Sequence, residues 1–413
     1  MVAAVVKEYD DSGLSRFAGG RSMLRVLRNL LVSAFLIALA SWTIHANWPL
    51  KAIRFNELVY TENAARRLAS YPEAQYAYGL RAWIDQQPEK AAFFFRKAVS
   101  RNVLHMDAWL RLAEAEAALG EDEKARAILA FVAQLTDQTL RWKWPQLVLA
   151  GQLGMDAIFY QSANDLLNSG VLTQDTLQLL HTHLDGDAST LLDILAPQNL
   201  AVYLDWLMRW GLVDESLIVW QAMTAAIPPD NDIALRYAHF LLGRKHTVRA
   251  ADIWRGYAGG SSGMTNPGFE SQITGRGFDW RYWYEKEKNW ELKRAHSESA
   301  EGSYALRLKF SGKQNIAFHH LYQIVAVAPE MRYTLSYAWK TRGITTDQGP
   351  FLEIVGYDAR DIYEKGSMLT GTNRWREDVI AFSTPADCHA VVVRLRRRTS
   401  MRFDSKIRGT IWL

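Results

Sequence analysis

Thirty-four residues separate Ala91 from Ala125, Phe95 from Leu129 and Ala98 from Val132. The same interval returns between Ser216 and Ala250, Trp220 and Trp254, and Met223 and Tyr257. A period of this length restricts a chain to stacked helix pairs, because each pair can bury its apolar face only against the next. The residue types follow from that geometry. Gly79, Ala91 and Ala98 are small enough for paired helices to approach closely, while Phe95 and Leu129 fill the space between neighbouring pairs. Gly120 falls at a turn, and Asp122 and Glu123 suit the positive end of the helix that follows.

Trp109, Leu112, Ala113, Ala125 and Leu129 complete one repeat, and Tyr237, Ala238, Ala250 and Trp254 another, with Gly211 and Pro228 as punctuation. On these residues the segment resembles the tetratricopeptide family, strongly at both ends of 49–258 and weakly in the middle. The resemblance implies an all-α solenoid whose concave face holds a protein partner. From 138 to 200 the phase is lost although helical apolar spacing persists through Leu147, Leu149, Leu153 and Ile158, the pattern of diverged repeats. Within that stretch His181-Thr-His183-Leu-Asp185-Gly-Asp187 carries metal-ligand residue types. No β/α alternation surrounds it, so it reads as a helix end followed by a helix capped at Asp187 or Ser189.

The run Leu30–Ala46 holds no residue charged at neutral pH, and with Trp48 it approaches the roughly 20 residues of a bilayer-spanning helix. Arg16, Arg21, Arg25 and Arg28 precede it, and Trp42 and Trp48 lie toward its far end. The expectation is a basic cytoplasmic segment at 1–29, a transmembrane anchor at 30–48, and the remainder exported. Ala38-Leu39-Ala40 keeps a cleaved signal peptide open as an alternative. The expected location is a bacterial inner membrane, with the bulk of the chain periplasmic. A single cysteine, Cys388, excludes an internal disulfide and a cysteine-based zinc site.

Gly259-Gly-Ser-Ser-Gly263 reads as a linker, and after it the periodicity changes from 3.6 to 2. Leu306, Leu308 and Phe310 alternate with Arg307 and Lys309, and Tyr333, Leu335, Tyr337 and Trp339 alternate with Thr334, Ser336 and Ala338. An all-β sandwich over 264–413 is expected. Asn266-Pro-Gly-Phe-Glu270, Gly277-Phe-Asp-Trp280, Gly302–Leu308, Tyr333-Thr-Leu335 and Gly409–Leu413 together resemble the jelly rolls of carbohydrate-binding modules. That resemblance implies an aromatic platform with polar side chains on one sheet face. It also offers Glu270 as a calcium ligand, but the closing Asp pair of the family does not follow Trp412 in this sequence, so no cofactor is expected. Alternation places Glu353 and Tyr357 opposite Leu352 and Ile354, and Arg394 and Arg396 opposite Val393 and Leu395. With Trp280, Trp283 and Trp375 in loops, these are the candidate glycan-binding residues.

Residues 265–413 carry 23 Lys and Arg against 17 Asp and Glu, which favours an anionic polysaccharide. The chain as a whole carries only +4, too little to imply nucleic acid. No phosphate-cradling Gly loop, G-x-S-x-G elbow or H-E-x-x-H motif occurs, and no carboxylate pair is placed for glycoside hydrolysis. The expectation is a non-catalytic scaffold resembling the accessory proteins of exopolysaccharide assembly and export. The alternatives are a purely protein-binding scaffold with a structural sandwich, and an enzyme acting on polysaccharide.

Overall fold

Proline at the first helical turn starts the first two helices of the repeat region among the described residues, where a missing N–H removes no hydrogen bond. They are α1 (Pro72–Ile84) and α2 (Pro88–Arg101). A computed structural model of the chain describes residues 33–39, 70–226, 229–258, 263–283, 289–296, 298–403 and 405–413. Residues 33–39 of the apolar run are helical; the rest of the expected anchor and the basic segment before it lie outside the described residues. Among the described residues no helix is long and apolar enough to cross a membrane.

The chain divides into two compact units, Met1–Thr173 and Gln174–Leu413. In the first, α1 and α2 are followed by the pairs α3 (Met106–Ala118) with α4 (Asp122–Leu135), and α5 (Lys143–Leu153) with α6 (Asp156–Ser169). The residues in phase at 34-residue spacing are the buried ones: Ala91, Phe95, Ala98, Ala125, Leu129 and Val132 are all fully enclosed. Gly79 lies so close to Phe95 that a Cβ there would overlap its ring. The loss of phase after residue 138 does not end the helical pairs. Leu147, Leu149 and Leu153 still form a buried stripe. A buried ammonium, Lys143, is held by Asp165 at 2.7 Å and Asp137 at 3.6 Å.

The second unit opens with α7 (Thr173–His183) and α8 (Ala188–Ile194), then α9 (Leu200–Trp210), α10 (Val213–Ala226), α11 (Asn231–Gly243) and α12 (Thr247–Tyr257). His181 and His183 fall in the last turn of α7, and Asp187 caps α8 by accepting from the Ser189 N–H at 2.9 Å. Helix end and cap are therefore as the sequence indicated. The His181 ring rests against Trp206, with centroids 5.0 Å apart.

The sandwich comprises β1 (Arg281–Tyr282), β2 (Trp290–His296), β3 (Tyr304–Ser311), β4 (Phe318–Ala326), β5 (Arg332–Ile344), β6 (Phe351–Gly356), β7 (Tyr363–Lys365), β8 (Gly371–Ser383), β9 (Ala390–Arg397) and β10 (Arg408–Trp412). They form two antiparallel five-stranded sheets, ordered β1-β4-β9-β6-β7 and β2-β3-β10-β5-β8. Leu306, Leu308, Phe310, Leu321, Leu352, Ile354, Val391, Val393 and Leu395 meet between them as the core. Cys388 is buried in the same core as a free thiol, which burial pushes up to about 11.

The expected linker boundary at 259–263 falls inside the second unit, and 259–262 lie outside the described residues. On either side of it, helix and sandwich are packed together. Trp254 Nε1 donates to Thr265 Oγ1 at 3.0 Å, and the Gly277 N–H donates to His239 Nδ1 at 3.0 Å. Gly277 has φ +51°, and any side chain there would run into the Trp254 ring, so glycine is required twice over.

Candidate functional site

Strict alternation sends Leu352, Ile354, Val393 and Leu395 inward and their neighbours to the outer face of the first sheet. The register lines up one row across all five strands: Arg281, Tyr322, Arg394, Glu353 and Lys365 are successive cross-strand partners. At its centre the Glu353 side chain is only 1% exposed and pairs with Arg394 on the neighbouring strand, with Arg396 3.7 Å away. Both arginines keep roughly a third of their surface in solvent, 29% and 34%. A buried carboxylate beneath two half-exposed guanidiniums fixes their position; the guanidinium forks, not the carboxylate, are what a ligand meets.

Toward β1 the face becomes aromatic. Trp283 is 42% exposed and packs against His319, His320 and Tyr322, with centroids 5.4, 5.2 and 5.6 Å apart. The His319 imidazole is held below its ordinary range by burial first, then by His320 and the Arg396 and Arg394 charges. It is therefore neutral at physiological pH. Toward β7, exposed Tyr363 accepts from Arg398 Nη2 at 3.1 Å. The face thus offers flat π surface at one end, forked donors in the middle and a phenol at the far edge. This arrangement can stack against the apolar face of a ring and hydrogen-bond to hydroxyl or carboxylate groups around it.

Four of the seven candidate residues, Trp283, Glu353, Arg394 and Arg396, come together here. The other three do not. Trp280 is 4% exposed, packs against Phe269 with ring centroids 5.1 Å apart and donates through Nε1 to the Asn266 carbonyl at 3.2 Å. It is a core residue with its polar handle satisfied. Tyr357 follows the end of β6, where alternation no longer applies, and its hydroxyl donates to the Leu242 carbonyl at 2.7 Å. Lys245 lies over its ring at 3.4 Å, so the ring is already covered by a residue of the turn between α11 and α12. Trp375 sits on β8 in the second sheet, beside a cleft it shares with Tyr337. Glu270 likewise has a local task, since its Oε1 accepts from the Ser303 and Tyr304 N–H groups at 2.8 and 3.0 Å. Among the described residues no group of three His, Cys, Asp or Glu is placed to hold a metal ion.

Sequence reasoning missed Tyr322, His319, Tyr363 and Arg398. Alternation within Phe318–Ala326 would have offered Tyr322, but the register shifts between Phe318 and Leu321 and breaks the simple count at the double histidine.

No family model matches this sequence, and no curated protein matches it either. Among solved structures, part of the chain is similar to a CBM4 module, at 13% identity over 36% of this chain and 94% of that one, with a TM-score of 0.27. TmCBM61 in complex with β-1,4-galactotriose is similar at 17% identity over 36% of this chain and 91% of that one, TM-score 0.25. MamA from Desulfovibrio magneticus RS-1 is similar at 11% identity over 46% of this chain and 93% of its own, TM-score 0.21.

Proposed function

We propose that this chain is a non-catalytic scaffold that binds acidic polysaccharide on the outer face of the first sheet and a protein partner on its helical repeats. One observation carries the glycan reading: Arg394 and Arg396 are held over buried Glu353, in line with an exposed Trp283 platform. An indole beside two guanidiniums held in place by one buried carboxylate can stack on a sugar ring and fork onto its carboxylate. The arginines give the face a positive surplus over its single buried carboxylate, which favours carboxylate-bearing sugars over neutral ones. An anchor at 30–48, export of the remaining chain, and a role in assembly or export of envelope polysaccharide belong to the same reading. Protease protection in intact and opened spheroplasts tests the topology.

Affinity electrophoresis of the whole chain through gels containing polygalacturonate or neutral galactan tests the binding. Retardation in the acidic gel that is lost in Trp283→Ala and Arg396→Ala supports the reading. Equal mobility of wild type and variants in both gels removes it. Arg396 is the better choice than Arg394, because removing Arg394 strands a buried carboxylate and would confound binding with folding.

The competing reading, a protein-binding scaffold with a purely structural sandwich, draws on the packing of Trp280 and Tyr357. It requires the Trp283 face to be silent toward every glycan.

A further inference from the structure

A cleft of about 470 Å³ lies away from the row of arginines, where β5 and β8 of the second sheet meet the segment before β1. Its walls are aromatic. Phe269 and Trp280 are buried, while Tyr304, Tyr337 and Trp375 are half-buried around the opening. Leu352 and Val393, buried core residues of the first sheet, close it from below.

Two features set this cleft apart from ordinary packing. Two of its rings have their polar handles satisfied within the protein: Trp280 Nε1 by the Asn266 carbonyl, and the Tyr337 hydroxyl by Asp378 at 2.6 Å. These two therefore offer an incoming group only apolar ring surface. Secondly, the β5–β8 register is broken beside Trp375. Trp339 opposes Arg376 and Thr341 opposes Asn373, so two steps on β5 match three on β8. Such a bulge re-aims a side chain that regular alternation would direct elsewhere. Around the cleft Glu301, Arg376 and Glu377 are exposed, and among the described residues no hydrogen bond or ion pair engages the side chain of any of the three.

Apolar ring faces inside and unpaired charged groups outside suit a molecule with one hydrophobic face and a rim of hydroxyls, which is a sugar ring. The volume lies toward the lower end of the ~300–1,000 Å³ typical of small-molecule sites. A polymer can run across an open sheet face, whereas a cleft of this volume takes only a short stretch of one. We propose that this cleft is a second carbohydrate site, which takes a unit or two of a glycan chain. The proposal rests on the glycan-binding reading and adds a separate location and mode.

Saturation-transfer NMR on the whole chain with galactobiose, digalacturonate and cellobiose tests it, alongside electrophoretic retardation by polygalacturonate. At least one disaccharide should receive saturation in the wild type. Trp375→Ala should weaken that binding at least tenfold and leave polymer retardation within twofold, whereas Trp283→Ala should do the reverse. Arg376→Ala, at an exposed position, should weaken disaccharide binding without altering the melting temperature, which separates recognition from folding. If no disaccharide binds while the polymer does, the cleft proposal falls and the sheet-face reading stands. If disaccharide binding follows Trp283 and ignores Trp375, there is a single site and the proposal is likewise overturned. Disaccharide binding that depends on Trp375, without polymer retardation, would sustain the cleft and remove the sheet face.

Discussion

The Tyr357 hydroxyl donates to the carbonyl of Leu242 at 2.7 Å, joining the end of a strand to a helix 115 positions earlier. Lys245 closes the contact by donating to the Tyr357 carbonyl at 3.0 Å while lying over its ring. Burial raises the Tyr357 phenol above its ordinary value, so it remains a donor across the physiological range. Tyr357→Phe should keep the ring contact and lose the hydrogen bond, a change of about 1–2 kcal/mol. Chemical denaturation would read that loss. Retardation by polygalacturonate should not change, which distinguishes a latch from a glycan contact.

Among the described residues Arg397 is the largest fully buried side chain, and its guanidinium reaches Gln348 O at 2.9 Å, Asn315 Oδ1 at 3.1 Å, Ser405 O at 3.0 Å and also Ile316 O. One fork therefore ties together three loops at one end of the sandwich. Arg397→Met fills much of the volume but leaves these acceptors without donors, and should destabilise by about 3 kcal/mol or more. Arg397→Lys should recover only part of this, because an ammonium cannot reproduce the planar fork. A full recovery in urea denaturation would mean that charge, rather than geometry, organises the loops.

Gly79→Ala tests the repeat packing. Its Cβ would overlap the enclosed Phe95 ring, and overpacking of this kind typically removes about 1–3 kcal/mol. Gly79→Ala combined with Phe95→Leu should be less destabilised than the sum of the single changes, as a double-mutant cycle would show.

Acid sensitivity should come partly from His239. Burial first, and then the Arg281 and Arg276 charges, hold its imidazole below the ordinary 6.5. Below that value the unfolded chain takes up a proton more readily than the folded one, so stability falls with pH. The loss starts near the unfolded value and is complete once the pH lies below the folded one. At higher pH both states are neutral and the group contributes nothing. Melting curves of wild type and His239→Gln between about pH 8 and pH 5 should show a shallower acid decline in the variant.

How much of this was legible depended on how far each residue's fate is decided locally. The 34-residue spacing located the enclosed positions from Ala91 to Val132, because a helix pair repeats its own neighbours. Period-2 alternation located Glu353, Arg394 and Arg396 on one face, because a strand's two faces are fixed by its backbone. The same rule failed at Tyr357, just beyond the last residue of β6, and at Tyr322, behind a register shift. Trp280 and Trp375 failed differently. Nothing in the neighbouring sequence says whether an indole ends in a core, as Trp280 does, or on a strand beside a cleft, as Trp375 does on β8, since that depends on partners such as Phe269 and Tyr337 elsewhere in the chain. The Gly/Ser run at 259–263 signalled a change of fold class correctly. It did not signal that Trp254 and Gly277 on either side would be packed together.

That packing of Trp254 against Gly277 and Phe278 bears on how a repeat array ends. A stack of helix pairs always leaves its last apolar surface open, and such arrays ordinarily need a terminal element with a polar exterior. Here the sandwich supplies that lid, with Thr265 accepting the Trp254 indole N–H and His239 receiving the Gly277 amide. The two fold classes are thus not interchangeable cassettes. Cutting the chain at the Gly/Ser run should yield helices with an uncovered, self-associating end, so neither the length of the array nor the identity of its last repeat can drift independently of the β domain that seals it.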